Sequence, residues 1–191
     1  MNKWFKKNTD QIFTIAALLT SCFFLATCEN DEGKIKSLTE KSREVEEART
    51  VTIYISQQGI MKAKLTAPLM LRYPTDSIYV EFPKSLHVDF YDSLVQVESR
   101  LDALYGKYFE TENKVFLKDS VVVINVKGDT LWSPELWWDQ KLEKFYTDKP
   151  VRYHTRYDKI MGNNGLDVKQ DLSGVIFHDP TGIFLVHDSL Q

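Results

Sequence analysis

The chain has 191 residues and a formal net charge of −3, a size that accommodates one domain of ordinary length and a short leader. A charge this close to neutral argues against nucleic acid as a partner. Both cysteines, Cys22 and Cys28, lie near the amino terminus, which excludes a disulfide framework or a cysteine-based zinc site in the rest of the chain.

The amino terminus has the pattern of a secretory signal. Lys3, Lys6 and Lys7 precede an apolar run that starts at Ile12 and reaches about Ala26, which is the order of a basic segment and an apolar segment before a cleavage site. The uninterrupted run is shorter than the ~20 residues that usually span a bilayer. Residues 1–28 are therefore predicted to be a lipoprotein signal peptide or a membrane anchor.

Two cysteines compete as the lipidation site. The residues before Cys28, Leu-Ala-Thr, resemble a bacterial lipobox, and the charged sequence Glu-Asn-Asp-Glu follows at once. The residues before Cys22, Leu-Thr-Ser, match the lipobox better, but cleavage there would leave an apolar segment on the mature protein. We predict lipidation at Cys28, with Cys22 as the alternative and an uncleaved signal anchor as the third arrangement. Residues 29–50 are mostly charged and are predicted to form a tether.

From Val51 onward the sequence predicts short strands. Residues 51–55 alternate in polarity, and residues 57–59 form a turn. In the next strand Met61, Ala63, Leu65 and Ala67 share one face, which indicates one buried and one solvated side. Pro68 and Pro74 bracket an edge or bulged segment. Further strands are predicted at residues 79–82, 86–91, 95–104, 115–117 and 121–125.

The stretch from Asp129 to Val151 predicts three more strands, at residues 130–133, 135–139 and 144–147. Pro134 marks a break or an edge, because proline cannot donate to a sheet ladder. Gly162 to Gly165 form a hairpin turn, since Asn and Gly tolerate positive φ. The last strands are predicted from Val151 and at residues 166–168, 172–176 and 183–186. Short, evenly spaced strands are typical of an all-β sandwich or barrel.

Two sequences in this region resemble the LptC family. They are DTLWSPELWWDQKLEKFYTDKPVRYHT at residues 129–155 and the double-glycine turn MGNNGL at residues 161–166. The resemblance covers about residues 58–177 and implies a single OstA-like β-jellyroll over residues 51–191. It further implies a periplasmic protein anchored at the inner membrane. Such a protein receives lipopolysaccharide from an ABC transporter of the LptB, LptF and LptG type and passes it to an LptA-like bridge protein.

The resemblance also implies site residues. An apolar groove for the acyl chains of lipid A is expected to contain Phe82, Phe116, Leu131, Leu136 and Trp138, with Leu65 and Val151 as support. The spacing around Pro83 and Lys118 leaves a shift of one residue open, which would reverse the inward and outward faces of that strand. Edge strands are expected to pair with partner proteins through Val51, Ile53 and Ile55 at one end and Ile183 and Leu185 at the other.

The sequence offers little support for catalysis. His87, His154, His178 and His187 are scattered without metal-ligand spacing, and phosphate-loop and nucleophile-elbow motifs are missing. We therefore predict neither an enzyme nor a cofactor. Trp137 and Trp138 must point to opposite faces of their strand, so one belongs to the interior and the other lies outside. The alternative functions are a surface lipoprotein that stacks glycans on tryptophan and a purely structural envelope lipoprotein.

Overall fold

The computed structural model describes residues 45–74 and 78–183, and every regular element within them is a β-strand. All strand pairs are antiparallel and join into one sheet, as expected for the predicted all-β jellyroll. The fourteen strands are β1 (Glu46–Gln57), β2 (Ile60–Tyr73), β3 (Tyr79–Phe82), β4 (Leu86–Tyr91), β5 (Val97–Ala103), β6 (Tyr105–Phe109), β7 (Lys114–Asn125), β8 (Thr130–Asp139), β9 (Lys144–Thr147), β10 (Val151–His154), β11 (Lys159–Gly162), β12 (Leu166–Lys169), β13 (Ile176–Phe177) and β14 (Pro180–Ile183).

The sheet folds into two layers because long strands exchange partners midway. In β8, Thr130 to Trp132 pair with β10, whereas Trp137 to Asp139 pair with β9. The two halves of β7 pair with β5 and β6 in the same manner, and those of β2 pair with β4 and β3. One layer therefore contains β4, β5, β10, β11 and β14, and the other contains β3, β6, β9, β12 and β13.

The bends between the layers lie at residues that interrupt a ladder. Pro134 faces a bulge in β7, where Asp119 and Ser120 adopt positive φ, and Pro68 lies opposite Thr50, which also has positive φ. The predicted break at Pro134 and the predicted segment boundary at Pro68 are thus bends within continuous strands. A bulge supplies the extra residue that such a bend needs.

Alternation of apolar and polar residues places one face of each layer inside. Phe90 of the first layer meets Trp138 and Phe145 of the second at ring-centroid distances of 4.9 and 5.6 Å. All three side chains are buried, together with Val88, Leu101 and Leu117. Edge-to-face contacts of this kind add to the burial of apolar area. The two layers therefore share one apolar interior.

Several strand boundaries differ from the predictions. The strands predicted at residues 115–117 and 121–125 form one strand, β7. The first strand begins at Glu46, within the segment predicted as a tether. Tyr105 and Gly106, predicted as a turn, begin β6. The predicted strand at residues 172–176 is a loop followed by the two-residue β13. Ile183, where a further strand is predicted to begin, belongs to β14, and residues 184–186 of that predicted strand lie outside the described residues. The leader, most of the tether and Leu185 lie outside the described residues.

Helices capable of crossing a bilayer are not found within residues 45–74 and 78–183.

Candidate functional site

An elongated groove opens between the two layers next to β1. Its cavity has a volume of about 760 Å³, within the range of pockets that hold small apolar ligands. Ile53, Ile55 and Leu65 form the wall on the first layer. The opposite wall consists of second-layer side chains, namely Met70, Val80, Phe82, Tyr108, Val115 and Trp138.

The walls are apolar because each strand turns the same parity of residue inward. Val80 and Phe82 are buried while Tyr79 and Glu81 lie on the outer face of β3. Val115 and Leu117 are buried in β7 in the same way. Burial raises the pKa of the Tyr108 hydroxyl above its usual range, and a tyrosine hydroxyl is uncharged at neutral pH.

Ion pairs lie at the rim of the groove. Arg72 donates to Glu110 at 3.2 Å and to Glu46 at 3.4 Å. Lys62 of β2 pairs with Glu143, in the turn between β8 and β9, at 2.9 Å. The hydrogen bonds to these carboxylates raise the pKa of both Arg72 and Lys62. Charged groups thus surround the opening, and the apolar side chains lie deeper.

The predicted groove residues fall into three sets. Leu65, Phe82 and Trp138 line the cavity. Leu131, Leu136 and Val151 are buried in the packed interior and do not line it. Phe116 lies on the outer face, directly opposite Trp137 in the ladder, with ring centroids 4.9 Å apart. The shift of one residue left open in the sequence therefore applies to Phe116 and not to Phe82.

Trp137 belongs to an aromatic row on the outer face of the second layer. Phe109 stacks on one side of it at 5.9 Å and Tyr146 on the other at 6.4 Å, with Phe116 also in contact. Cross-strand aromatic pairs of this kind stabilise a sheet. The row occupies the ring faces of Trp137, which a stacked sugar would need.

Two of the three predicted docking residues of β1, Ile53 and Ile55, line the groove, and Val51 does not. Val51, Ile53 and Ile55 are partly buried and pack against the core, whereas their neighbours Thr52 and Tyr54 are exposed. Among the described strands β1 pairs only with β2, and β14 pairs only with β11. Ile183 is exposed at the end of β14. Both strands therefore leave one ladder edge without a partner in the described part of the chain.

A loop of residues 170–173 closes the groove on the side away from β1, and sequence analysis missed it. Gln170 is buried, and its side chain accepts from Trp138 Nε1 at 3.2 Å and donates to Glu98 at 3.3 Å. Leu172 is buried, and its carbonyl oxygen accepts from the Tyr153 hydroxyl at 3.1 Å. Burial raises the pKa of Tyr153 to about 12, so the hydroxyl remains a donor. A polar glutamine gives no sign in the sequence that it belongs inside.

Comparison with known proteins gives one match. A family model described as "Lipopolysaccharide-assembly, LptC-related" matches residues 13–166. No curated protein matches the chain.

Proposed function

The chain belongs to the LptC-related family of lipopolysaccharide assembly, and from this premise we propose that its groove carries the acyl chains of lipid A across the periplasm. Proteins of this family are periplasmic components associated with the inner membrane, and they act in lipopolysaccharide transport. The finer proposal concerns the path of the lipid. It is received from an ABC transporter of the LptB, LptF and LptG type and passed to an LptA-like bridge protein.

The observation that supports the proposal is the apolar cavity between the layers. Each CH₂ group kept from water is worth about 0.8 kcal/mol, so a chain of a dozen carbons would cost roughly 10 kcal/mol to expose. Side chains such as Ile55, Val80 and Phe82 offer an apolar wall without directed hydrogen bonds. A wall of this kind shields a chain and still lets it slide. In the packed interior, Leu131, Leu136 and Val151 support the walls.

The edge strands supply the connections to partners. An unpaired edge accepts a further strand through main-chain hydrogen bonds. We assign β1, with Val51, Ile53 and Ile55, to the transporter, and Ile53 and Ile55 also form part of the groove wall. We assign the β14 end, from Ile183 towards Leu185, to the bridge protein. ATP hydrolysis belongs to the transporter.

The amino-terminal segment supplies the anchor. Lipidation at Cys28, with Cys22 as the alternative, would hold the domain at the periplasmic face of the inner membrane, since two or more acyl chains make a stable anchor. An uncleaved signal anchor would serve the same purpose. Residues 29–45 then connect the anchor to the sheet, whose first strand begins at Glu46.

The rival function, glycan binding on surface tryptophans, finds less support. The faces of Trp137 are covered by Phe109 and Tyr146, and the face of Trp132 is approached by Arg152 and His154. A sugar ring stacks on an open aromatic face. Neighbouring side chains contact both tryptophans, so the groove is the better candidate site.

A pair of neighbouring substitutions tests the proposal. Ile53 faces the groove and Thr52 faces away from it on the same strand. Ile53→Arg should place a charge in the path of the acyl chains and reduce export of lipopolysaccharide to the cell surface by about tenfold or more. Thr52→Arg should leave export close to the wild-type level, because its side chain points outward.

Photocrosslinking gives the direct measurement. A photoreactive residue at Val80 should capture lipopolysaccharide in cells, and this capture should be lost in the Ile53→Arg chain. Equal export by the two arginine variants, or capture from outward positions such as Glu81 but not from Val80, would reject the groove as the path of the lipid.

A further inference from the structure

The 170–173 loop points into the interior, whereas the tips of other hairpins are exposed to solvent. Leu94, Leu142 and Tyr157, at the tips of three other hairpins, are 75%, 63% and 50% exposed, whereas Leu172 is 2% exposed. The loop connects β12 to β13 and folds back between the layers. A connection without ladder partners normally runs over the surface, so its burial requires an explanation.

Side-chain and main-chain hydrogen bonds tie the loop to both layers. On the first layer, Ser99 Oγ donates to the Gln170 carbonyl at 2.7 Å, and Asn125 Nδ2 donates to the Asp171 carbonyl at 3.2 Å. On the second layer, Gln170 N donates to the Glu143 carbonyl at 2.9 Å, and Trp138 donates to the Gln170 side chain. The loop therefore bridges the interior from one wall to the other.

The position of the loop divides the interior in two. Gln170 and Trp138 form part of the cavity wall on the β1 side. On the other side, Tyr153 contacts the Leu172 carbonyl and packs against Phe177 at a ring distance of 5.6 Å. Acyl chains that enter beside β1 thus meet the loop before they reach the β14 end.

Two hydrogen bonds within the loop do not depend on its contacts with the layers. Its closing hydrogen bonds, from Lys169 N to the Ser173 carbonyl and from Leu172 N to the Lys169 carbonyl, lie within the hairpin itself. Moving the tip outward keeps these bonds and leaves the pairing of β12 with β9 intact. Leu172 also has φ of 63°, a conformation that bulky residues adopt only when their surroundings impose it.

We propose that residues 170–173 form a displaceable plug that ends the groove at Gln170 and Leu172, so that lipid reaches the β14 end only when this loop swings out. The inference rests on the proposed role of the groove and adds a control point to it. A groove that is closed at one end retains the acyl chains. Because the loop is held by polar contacts and has a strained backbone at Leu172, an advancing acyl chain or a docked partner can displace it.

Locking the loop tests the plug. The Glu98 and Gln170 side chains touch, and the predicted jellyroll, residues 51–191, contains no cysteine. In cells, a short bifunctional thiol reagent would bridge Glu98→Cys to Gln170→Cys in the full-length chain. Photoreactive residues at Val80, before the plug, and at Phe177, beyond it, would report the lipid. The controls are the two single-cysteine variants treated with the same reagent.

We expect bridging to preserve lipid capture at Val80 and to reduce capture at Phe177 by about tenfold or more relative to the single variants. Unchanged capture at Phe177 in the bridged chain would overturn the plug. Capture at Val80 but none at Phe177 in the single-cysteine variants would also overturn the plug, but it would leave the proposed role of the groove intact. Failure of capture at Val80 in every chain would instead reject the proposed function.

A second pair of variants guards against incomplete bridging. Leu172→Gly removes the buried side chain and relieves the positive φ, whereas Leu142→Gly makes the same change at an exposed tip. Capture at Phe177 should rise several-fold in Leu172→Gly and stay at the wild-type level in Leu142→Gly. Equal capture in the two variants would contradict the plug.

Discussion

Glu98 carries a carboxylate into a partly desolvated position at the start of β5. Desolvation raises its pKa above the usual range for glutamate, and the hydrogen bond from Gln170 offsets part of this effect. The negative charges of Asp171, Glu143 and Asp92 raise the pKa of Glu98 further. Lys62 is the nearby cation. At neutral pH the ionised Glu98 is therefore unfavourable in the folded chain.

The Glu98→Gln variant isolates this effect. A raised pKa in the folded state means that the protonated form is favoured on folding. The stability that this group contributes is therefore present below its unfolded pKa and lost as pH rises through the folded pKa. Gln cannot ionise and still accepts from Gln170. Glu98→Gln should unfold at a higher temperature than wild type at pH 7, and the difference should shrink as pH falls into the ordinary glutamate range.

Thermal unfolding of the two chains between pH 4 and pH 8 measures this difference. The exposed Glu47, which lies on the outer face of β1, gives the control variant Glu47→Gln. Its unfolding temperature should stay close to that of wild type at pH 7, because the side chain and its ion-pair partner Arg49 are both exposed. A wild-type chain that is more stable than Glu98→Gln at pH 7 would contradict the assignment.

The contrast between Phe82 and Phe116 shows what a single strand pattern can decide. Alternation in β7 separates Val115 and Leu117 from Phe116, and it gives the two faces correctly. It does not say which face is inside, because aromatic residues stabilise outer cross-strand rows as well as cores. Only the ladder partner, Trp137, fixes Phe116 on the outer face.

Gly165 lies in the connection between β11 of the first layer and β12 of the second layer. It has φ of 92°, and an added Cβ would collide with the carbonyl oxygen of Thr147, where β9 ends. Gly128, in the turn between β7 and β8, has a similar φ of 87° but open space around it. Both glycines therefore need a positive φ, but only Gly165 lacks the space for a side chain.

Substitution by alanine separates the two contributions. Gly128→Ala should lower the free energy of unfolding by about 1 kcal/mol, the cost of positive φ alone. Gly165→Ala should lower it by at least about 3 kcal/mol, because the backbone of Thr147 must also move. Denaturant unfolding of the full-length variants checks both values. Equal losses would show that the crossing at Gly165 tolerates a side chain.

Turn and strand signals predicted most elements but not their connections. Residues 162–165 form the predicted turn, with a hydrogen bond from Gly165 N to the Gly162 carbonyl at 3.3 Å. The predicted hairpin is wrong, because the flanking strands β11 and β12 lie in different layers and do not pair with each other. The bends at Pro68 and Pro134 were interpreted as ends, since proline stops a ladder whether the strand continues or not. Leu172 was predicted in a strand because an apolar residue has the same pattern in a strand and in a buried loop.

At the scale of the whole molecule, the two layers leave β1 and β14 at edges of the described sheet. The family resemblance, and not the residues themselves, predicts both edges. The polarity pattern of Val51 to Ile55, and of the sequence around Ile183, is that of any strand. Which strands lie at the edge of a sheet depends on pairing between distant segments. The groove lies beside β1 only, so the edges are not equivalent and should bind different partners.

Photocrosslinking at outward positions tests this asymmetry. Tyr54 on β1 and Ile183 on β14 are 65% and 67% exposed, and Val126, in the turn after β7, is similarly exposed but lies at neither edge. Photoreactive residues at Tyr54 should capture a jellyroll-bearing subunit of the transporter, and those at Ile183 should capture the bridge protein. Val126 should capture neither. Capture of the same partner at both edges, or of a second copy of the chain, would mean that the edges do not set a direction of transfer. Strand addition extends a sheet only at an unpaired edge. Capture of different partners at Tyr54 and Ile183 would therefore place the groove in line with the grooves of both partners, and the 170–173 loop would lie on the path from one partner to the other.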